Sequence, residues 1–290
     1  VGEDPHRALP RARGDRSTEG MSLSEGTPER LVLLGAGNVA THLGRALVAS
    51  ASSAVRLTQI YSPGGRSARA LAEELGEGIS AVGSLEELDL DADWYIFAVP
   101  DDALIPLAKE LAGRVRGLWV HTSGSTSLDD LAEVHRPAGV LYPLQTFSKG
   151  KALDFSEVPL YVEGTDSEAE GRILRLGELL SRSVARTTSQ QRLVLHLGAV
   201  FACNFSNHLI AVAEELLTRH GLPEKALLPL IDEMTAKLHT LPARQAQTGP
   251  ARRGDERTLR RHERFLASEP ELEHLYSLLS RQIRERSERG

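Results

Sequence analysis

The chain has 290 residues, 41% hydrophobic and 26% charged, with 34 Lys and Arg against 40 Asp and Glu, a formal net charge of -6. That length holds one large or two ordinary domains, and the acidic balance argues against a nucleic-acid partner. The one cysteine, Cys203, excludes an internal disulfide or a cysteine-based metal cluster. No contiguous apolar run of bilayer-crossing length and no signal-type segment stands out, so a cytoplasmic protein without a membrane partner is expected.

Residues 1–28 mix arginines, prolines and acids without a helical or strand period, and read as a disordered extension in which Met21 is a candidate start. An apolar run at 31–34 then stops at Gly35-Ala36-Gly37, and an amphipathic segment follows at 39–49. This is the pattern of a buried strand, a tight turn and a helix start. Gly35 permits the turn, and Gly37 lets the backbone approach a pyrophosphate held by the unpaired N–H groups of the helix start, with Asn38, Val39 and Ala40 completing the turn. Gly44 allows close helix–sheet packing.

A second strand is predicted at 56–61, a break at 62–67 and a helix at 68–75. A short third strand involves Ile79 and Val82, and an acidic segment follows at 85–90. The fourth strand, 94–99, stops at Pro100, and a helix at 103–111 contains Pro106. The fifth strand, 118–121, ends in Thr122-Ser123-Gly124-Ser125. A helix at 128–131 and strands at 139–142 and 160–162 complete an α/β domain with a mostly parallel sheet.

The texture changes near Arg186. Residues 189–220 read as one long amphipathic helix closed by Gly221-Leu222-Pro223, with further helices at 224–238, 256–266 and 270–283 and a charged tail at 284–290. The expected division is an extension at 1–28, a nucleotide domain at 29–186 and an all-helical domain at 187–284. The apolar side of the long helix favours a homodimer formed through the helical half.

The second strand ends in Ile60-Tyr61-Ser62 with no acid until Glu73, while Ser62, Arg66 and Ser67 suit a 2′-phosphate. NADPH is therefore expected in preference to NADH. Val99 and Pro100 would form the nicotinamide-ribose wall, and Asp101 and Asp102 read as helix-starting acids. In the long helix, His196, Asn204 and Asn207 interrupt an apolar pattern at spacings that suggest a shared face. His196 is the candidate proton donor and Asn204 a candidate catalytic partner. Ser123 and Gly124 offer a hydroxyl and an N–H at the sheet rim. Asn207, Lys237, Gly249 and Arg253 would bind an anionic substrate, and Asp255 either pairs with Arg253 or caps the helix at 256. Scattered histidines give no metal-ligand spacing, so no metal is expected.

The segments at 35–40, 61–67, 98–101, 121–125, 142–147, 196–205, 248–250 and 253–255 together resemble the two-domain family joining a Rossmann-like domain to a domain called DUF2520. Its architecture is similar to pyrroline-5-carboxylate and ketopantoate reductases and to the 6-phosphogluconate-dehydrogenase-like group. The resemblance implies an NADP-dependent reductase of a small carboxylated 2-oxo or imino compound, 2-dehydropantoate being one example. Related enzymes often carry a catalytic lysine near the start of the first long helix. This chain has His196 there and no lysine between Lys151 and Lys225. A non-catalytic dinucleotide sensor or structural dimer is the alternative that this absence motivates.

Overall fold

A computed structural model describes residues 27–288, so the expectation of a disordered extension lies outside the described residues for 1–26. The chain divides into two compact units, one ending at Asn204 and the other beginning at Phe205. The division thus falls within the long helical stretch and not at the change of texture near Arg186.

The first unit is an eight-stranded sheet flanked by helices. Its strands are β1 (Glu29–Leu34), β2 (Val55–Tyr61), β3 (Ser80–Val82), β4 (Trp94–Phe97), β5 (Leu118–His121), β6 (Ala138–Pro143), β7 (Leu160–Gly164) and β8 (Val184–Arg186). They lie in the order β3-β2-β1-β4-β5-β6-β7-β8. Every neighbouring pair is parallel except β6 and β7. The helices are α1 (Asn38–Ala49), α2 (Arg66–Leu75), α3 (Asp101–Leu111), α4 (Leu128–Ala132), α5 (Ser167–Leu180) and α6 (Ser189–Ala199).

Successive strand residues face opposite sides, and β1 shows the consequence. Leu31 and Leu33 join a core with residues of α1, α2 and α5, while Val32 and Leu34 join a second core with α3 and α4. Both faces of the sheet are therefore buried, which is why the strands read as continuous apolar runs. The tight approach at Gly44 is to helix α2 and not to the sheet: a Cβ there would lie 2.8 Å from Leu75 Cδ1 and 3.8 Å from Leu33 and Leu57.

In this unit one helix and one strand were not legible as elements. Helix α5 carries charges throughout, yet buries Ala169, Ile173, Leu176, Gly177 and Leu180 along one stripe and starts on an Asp166 cap. Strand β8 has only three residues.

A buried ion pair ties α6 to the sheet. Arg192 is fully buried; its guanidinium donates to the Glu163 carboxylate at the end of β7, to the Thr126 carbonyl at 2.6 Å and to Ser189 Oγ at 3.2 Å. Thr188 starts α6 with a capping box closed by Gln191.

Beyond α6 the expected single α-helix contains a π segment over Val200–Phe205, where i→i+5 bonding absorbs an extra residue. The second unit holds α7 (Ser206–Arg219), α8 (Leu228–Leu238), α9 (Ala243–Ala246), α10 (Pro250–Arg253), α11 (Glu256–Leu266) and α12 (Pro270–Glu288). The charged residues 284–288 belong to α12, so the tail expected there is helical as far as it is described. The stretch Ser189–Arg219 is helical for 31 residues, with a mean hydropathy of 1.4 over its most apolar window. By length and composition alone it reaches what a bilayer-crossing helix needs, which corrects the expectation drawn from contiguous runs. Arg192, His196 and Asn204 interrupt the run and hid this from the sequence.

Histidine burial gives the sheet unit an acid-sensitive stability. His121, at the end of β5, is fully buried, and its Nδ1 accepts the Ser123 N–H at 3.2 Å. Burial, reinforced by the Arg192 charge, pushes its pKa from 6.5 down to about 3. Burial also lowers that of His135. Between these limits the unfolded chain binds a proton that the folded chain excludes. The stabilisation is complete above about pH 6.5 and lost progressively as the pH falls toward about 3. Urea midpoints should drop between about pH 7 and pH 5, and His121→Gln should flatten the dependence. Equal slopes in the two proteins would refute the assignment.

Candidate active site

The turn after β1 is shaped by contact with β4. Gly35 has φ +116°, and a Cβ there would lie 2.3 Å from the Ala98 carbonyl oxygen. Only glycine permits the chain to pass so close. Gly37, by contrast, has nothing within 4 Å of where a Cβ would be, so the surface over the turn is open. Gly37 is the N-cap residue of α1, no side chain caps that helix, and no acid lies in its first turn. The N–H groups at Asn38 and Val39 and the helix dipole therefore favour an anion over an open turn, which fits a dinucleotide pyrophosphate. Ala40 is fully buried beneath it.

Helix α2 has a similar start. Gly65, at φ +73°, is its N-cap residue, and no acid lies in its first turn. Arg66 and Ser67 are exposed there. Ser62 is buried and its Oγ accepts the Ala68 N–H at 2.9 Å, so this hydroxyl shapes the loop while keeping its own proton to donate.

The carboxyl ends of β4, β5 and β6 open onto a cleft of about 830 Å³. Val39, Val99, Ser123, Gly124, His196 and Asn204 all line it, so six of the predicted site residues converge on one wall set. Tyr142 and Asp101 line it as well. Pro100 is the N-cap residue of α3 and lies outside this lining. His196 Nδ1 shares a 3.3 Å hydrogen bond with Tyr142 Oη, and the rings meet edge to face. A Cβ on Gly124 would come within 2.7 Å of His196 Nδ1, so glycine lets the imidazole and the phenol meet over the β5 turn. Burial pushes the Tyr142 phenol pKa up, which keeps it protonated. Ser123 Oγ accepts the N–H groups of Ser125 at 3.1 Å and Thr126 at 2.9 Å, while Ser125 Oγ donates to the Asp101 carboxylate. The cleft thus holds an imidazole, a phenol, a serine hydroxyl, a carboxylate and an amide at the edge of the sheet where doubly wound folds bind ligands.

Residues 30–120 match the family model for NADP oxidoreductase, coenzyme F420-dependent, and residues 158–283 match DUF2520, a domain of unknown function. A Bacteroides fragilis protein, provisionally assigned as an NADP oxidoreductase, has a crystal structure that is 40% identical over 89% of this chain and 99% of that one, with TM-score 0.82. The chain belongs to the DUF2520 family of Rossmann-type NADP(H) oxidoreductases. A Thermotoga maritima protein shares the fold at 22% identity, covering 89% of this chain and 98% of its own, with TM-score 0.67. So does a Plasmodium falciparum pyrroline carboxylate reductase, solved with NADP bound, at 11% identity, 90% and 99% coverage and TM-score 0.54. No curated protein matches the chain.

The DUF2520 match begins at 158, so in this chain it takes in strands β7 and β8 of the sheet and the helix α5 packed on it. The remaining predicted residues of this DUF2520 protein lie in the second unit. Asn207 is exposed in the first turn of α7. Lys237 pairs with Glu233 at 3.2 Å. Gly249, at φ +105°, is the N-cap residue of α10, and Arg253 ends that helix exposed. Asp255 caps α11 by accepting the Thr258 N–H at 3.1 Å, which decides between the two roles open to it in the sequence.

Tyr142 and Asp101 are among the cleft residues to which sequence reasoning gave no site role. Tyr142 lies near the end of β6, and extending the strand-end rule from β4 and β5 to β6 would have found it. Asp101 was read only as a helix-starting acid.

Gly35→Ala should destabilise the chain by at least about 2 kcal/mol, because it combines a disfavoured φ with a backbone clash. Urea denaturation checks this, and an unchanged midpoint would contradict the geometry.

Proposed function

We propose that this protein is an NADPH-dependent reductase of a small carboxylated 2-oxo or imino compound, with 2-dehydropantoate as one candidate. The observation that carries the reading is the His196–Tyr142 pair on a cleft at the carboxyl edge of a sheet whose first turn suits a pyrophosphate. Asn38, Val39 and Ala40 would receive the pyrophosphate, and Arg66 and Ser67 the 2′-phosphate, with Ser62 holding the loop. A bound nicotinamide dinucleotide would supply the hydride. The protein supplies orientation and the proton.

As imidazolium, His196 donates from Nδ1 to Tyr142 Oη and carries a second proton on Nε2 for a substrate oxygen or nitrogen; its transfer leaves a neutral imidazole whose Nδ1 accepts from the Tyr142 hydroxyl. Ser123 and Asn204 offer hydrogen bonds to the same acceptor group, and Gly124 keeps the approach open. Asn207, Lys237, Gly249 and Arg253 are proposed to recognise the substrate carboxylate. The absence of the lysine typical of related enzymes is met here by the imidazole. A homodimer through the helical half would cover the exposed side chains of Leu193, Val194 and Leu197 and those of Leu209 and Leu230. It would also give the long helix the burial that its composition demands.

Calorimetry with NADPH and NADH should show micromolar or tighter binding of NADPH and weaker binding of NADH. No heat with either would refute the reading. With NADPH and a panel of 2-oxo acids and cyclic imines, His196→Ala should lower kcat about 100-fold or more and leave NADPH affinity unchanged. Wild-type binding without turnover on any of these compounds would favour the non-catalytic sensor. Equal turnover by the variant would remove His196 from the chemistry.

A further inference from the structure

The loop between β6 and β7 runs back along α1. Asn38 Nδ2 donates to the Phe147 carbonyl at 2.9 Å, His42 Nε2 lies 3.0 Å from the Ser148 carbonyl oxygen, and Arg45 donates to the Lys149 carbonyl at 3.3 Å. These three α1 residues lie about one turn apart, so they form a stripe along which the strap is laid. The strap delivers Lys149 to the glycine turn, where Nζ donates to the Ala36 carbonyl at 2.7 Å.

Lys149 is exposed, so water meets its remaining donors and screens the charge, but its position is electrostatically unfavourable. It stands beside the positive end of the α1 dipole, and among the described residues no carboxylate pairs with it. One neutral carbonyl satisfies one of its three donors. The turn beside it has open space over Gly37. An ammonium and a helix start that converge on open space repel each other unless an anion lies between them.

We propose that Lys149 is a ligand of the dinucleotide pyrophosphate, brought to the glycine turn by the strap at 144–151. It would keep or exchange its bond to Ala36 while pairing with a phosphate oxygen. The inference rests on the dinucleotide reading above and adds a phosphate ligand from more than 100 residues downstream of the turn. It also separates two charges by role: Arg66 discriminates the 2′-phosphate, whereas Lys149 serves the pyrophosphate shared by both nicotinamide cofactors.

The test is equilibrium binding by calorimetry, with no substrate present. Lys149→Gln should weaken NADPH and NADH by the same factor, about tenfold, and leave their ratio unchanged. It should reduce the salt dependence of binding, since one ion pair is lost. Adenosine 2′-monophosphate, which lacks a pyrophosphate, should bind the variant as it binds the wild type, which also checks the fold. Lys149→Arg should stay within about threefold of wild type, because the charge is kept. Dinucleotide affinity within about twofold of wild type in Lys149→Gln, or a loss confined to NADPH, would overturn the assignment. Wild-type protein that binds neither dinucleotide would instead overturn the reading on which it rests.

Discussion

The arrangement of the cleft depends on a guanidinium buried at the first turn of α6. Arg192 joins the end of β7 through Glu163, the β5–α4 loop through the Thr126 carbonyl, and its own helix start through Ser189. Removing an arginine from water costs several kcal/mol unless its donors are met; here a carboxylate and two further oxygens meet Nη1 and Nη2, while Nε is buried without a partner among the described residues. Such a pair contributes little net stability compared with apolar packing. What it contributes is position: three segments distant in sequence are fixed to one planar group, and His196 follows one turn later on the same helix. The same charge helps to keep His121 neutral beneath the β5 turn.

The π segment after α6 adjusts what the helix presents. On a regular 3.6-residue helix, eight residues leave Asn204 about 80° from His196. The wider turn over Val200–Phe205 rotates less per residue and brings Asn204 back toward the face of His196; both line the cleft. Insertions of this kind are frequent at functional positions because they realign side chains without breaking the helix. The sequence could not announce it, since a π turn has no strong propensity signal.

The sheet and its first turn were legible because the central strands β1, β4, β5 and β6 are buried on both faces and end at glycine, proline or polar turn residues. Position 35 illustrates the point: strand, glycine turn and helix follow in an order few other folds require. The short strand β8 and the charge-rich α5 were hidden, because tertiary packing, not local pattern, holds them in place. At the site, residues found by the strand-end rule reached the cleft, as Ser123, Gly124 and Val99 show. Tyr142 was passed over because the rule was applied to two strands and not to the third. The Lys149 contact was out of reach for a different reason. It depends on a loop folding back over more than 100 residues to the Ala36 carbonyl, and no spacing in the sequence encodes that meeting.

Charge placement explains how an acidic protein can hold a polyanion. In the sheet unit, α3, α4 and α5 begin with their own carboxylates: Asp101 and Asp102, Asp129 and Asp130, Glu168 and Glu170. Those acids neutralise the positive ends of their helices. Helices α1 and α2 have no acid in the first turn, and both begin at glycines, Gly37 and Gly65. Their helix starts are left unneutralised, and Lys149 and Arg66 add positive charge to each. The net charge of -6 therefore coexists with two local positive centres spaced along the edge of one sheet. A single mobile phosphate would meet one of them, a dinucleotide with the proposed 2′-phosphate would meet both, and the acids at the starts of α3, α4 and α5 disfavour an anion at those three helices.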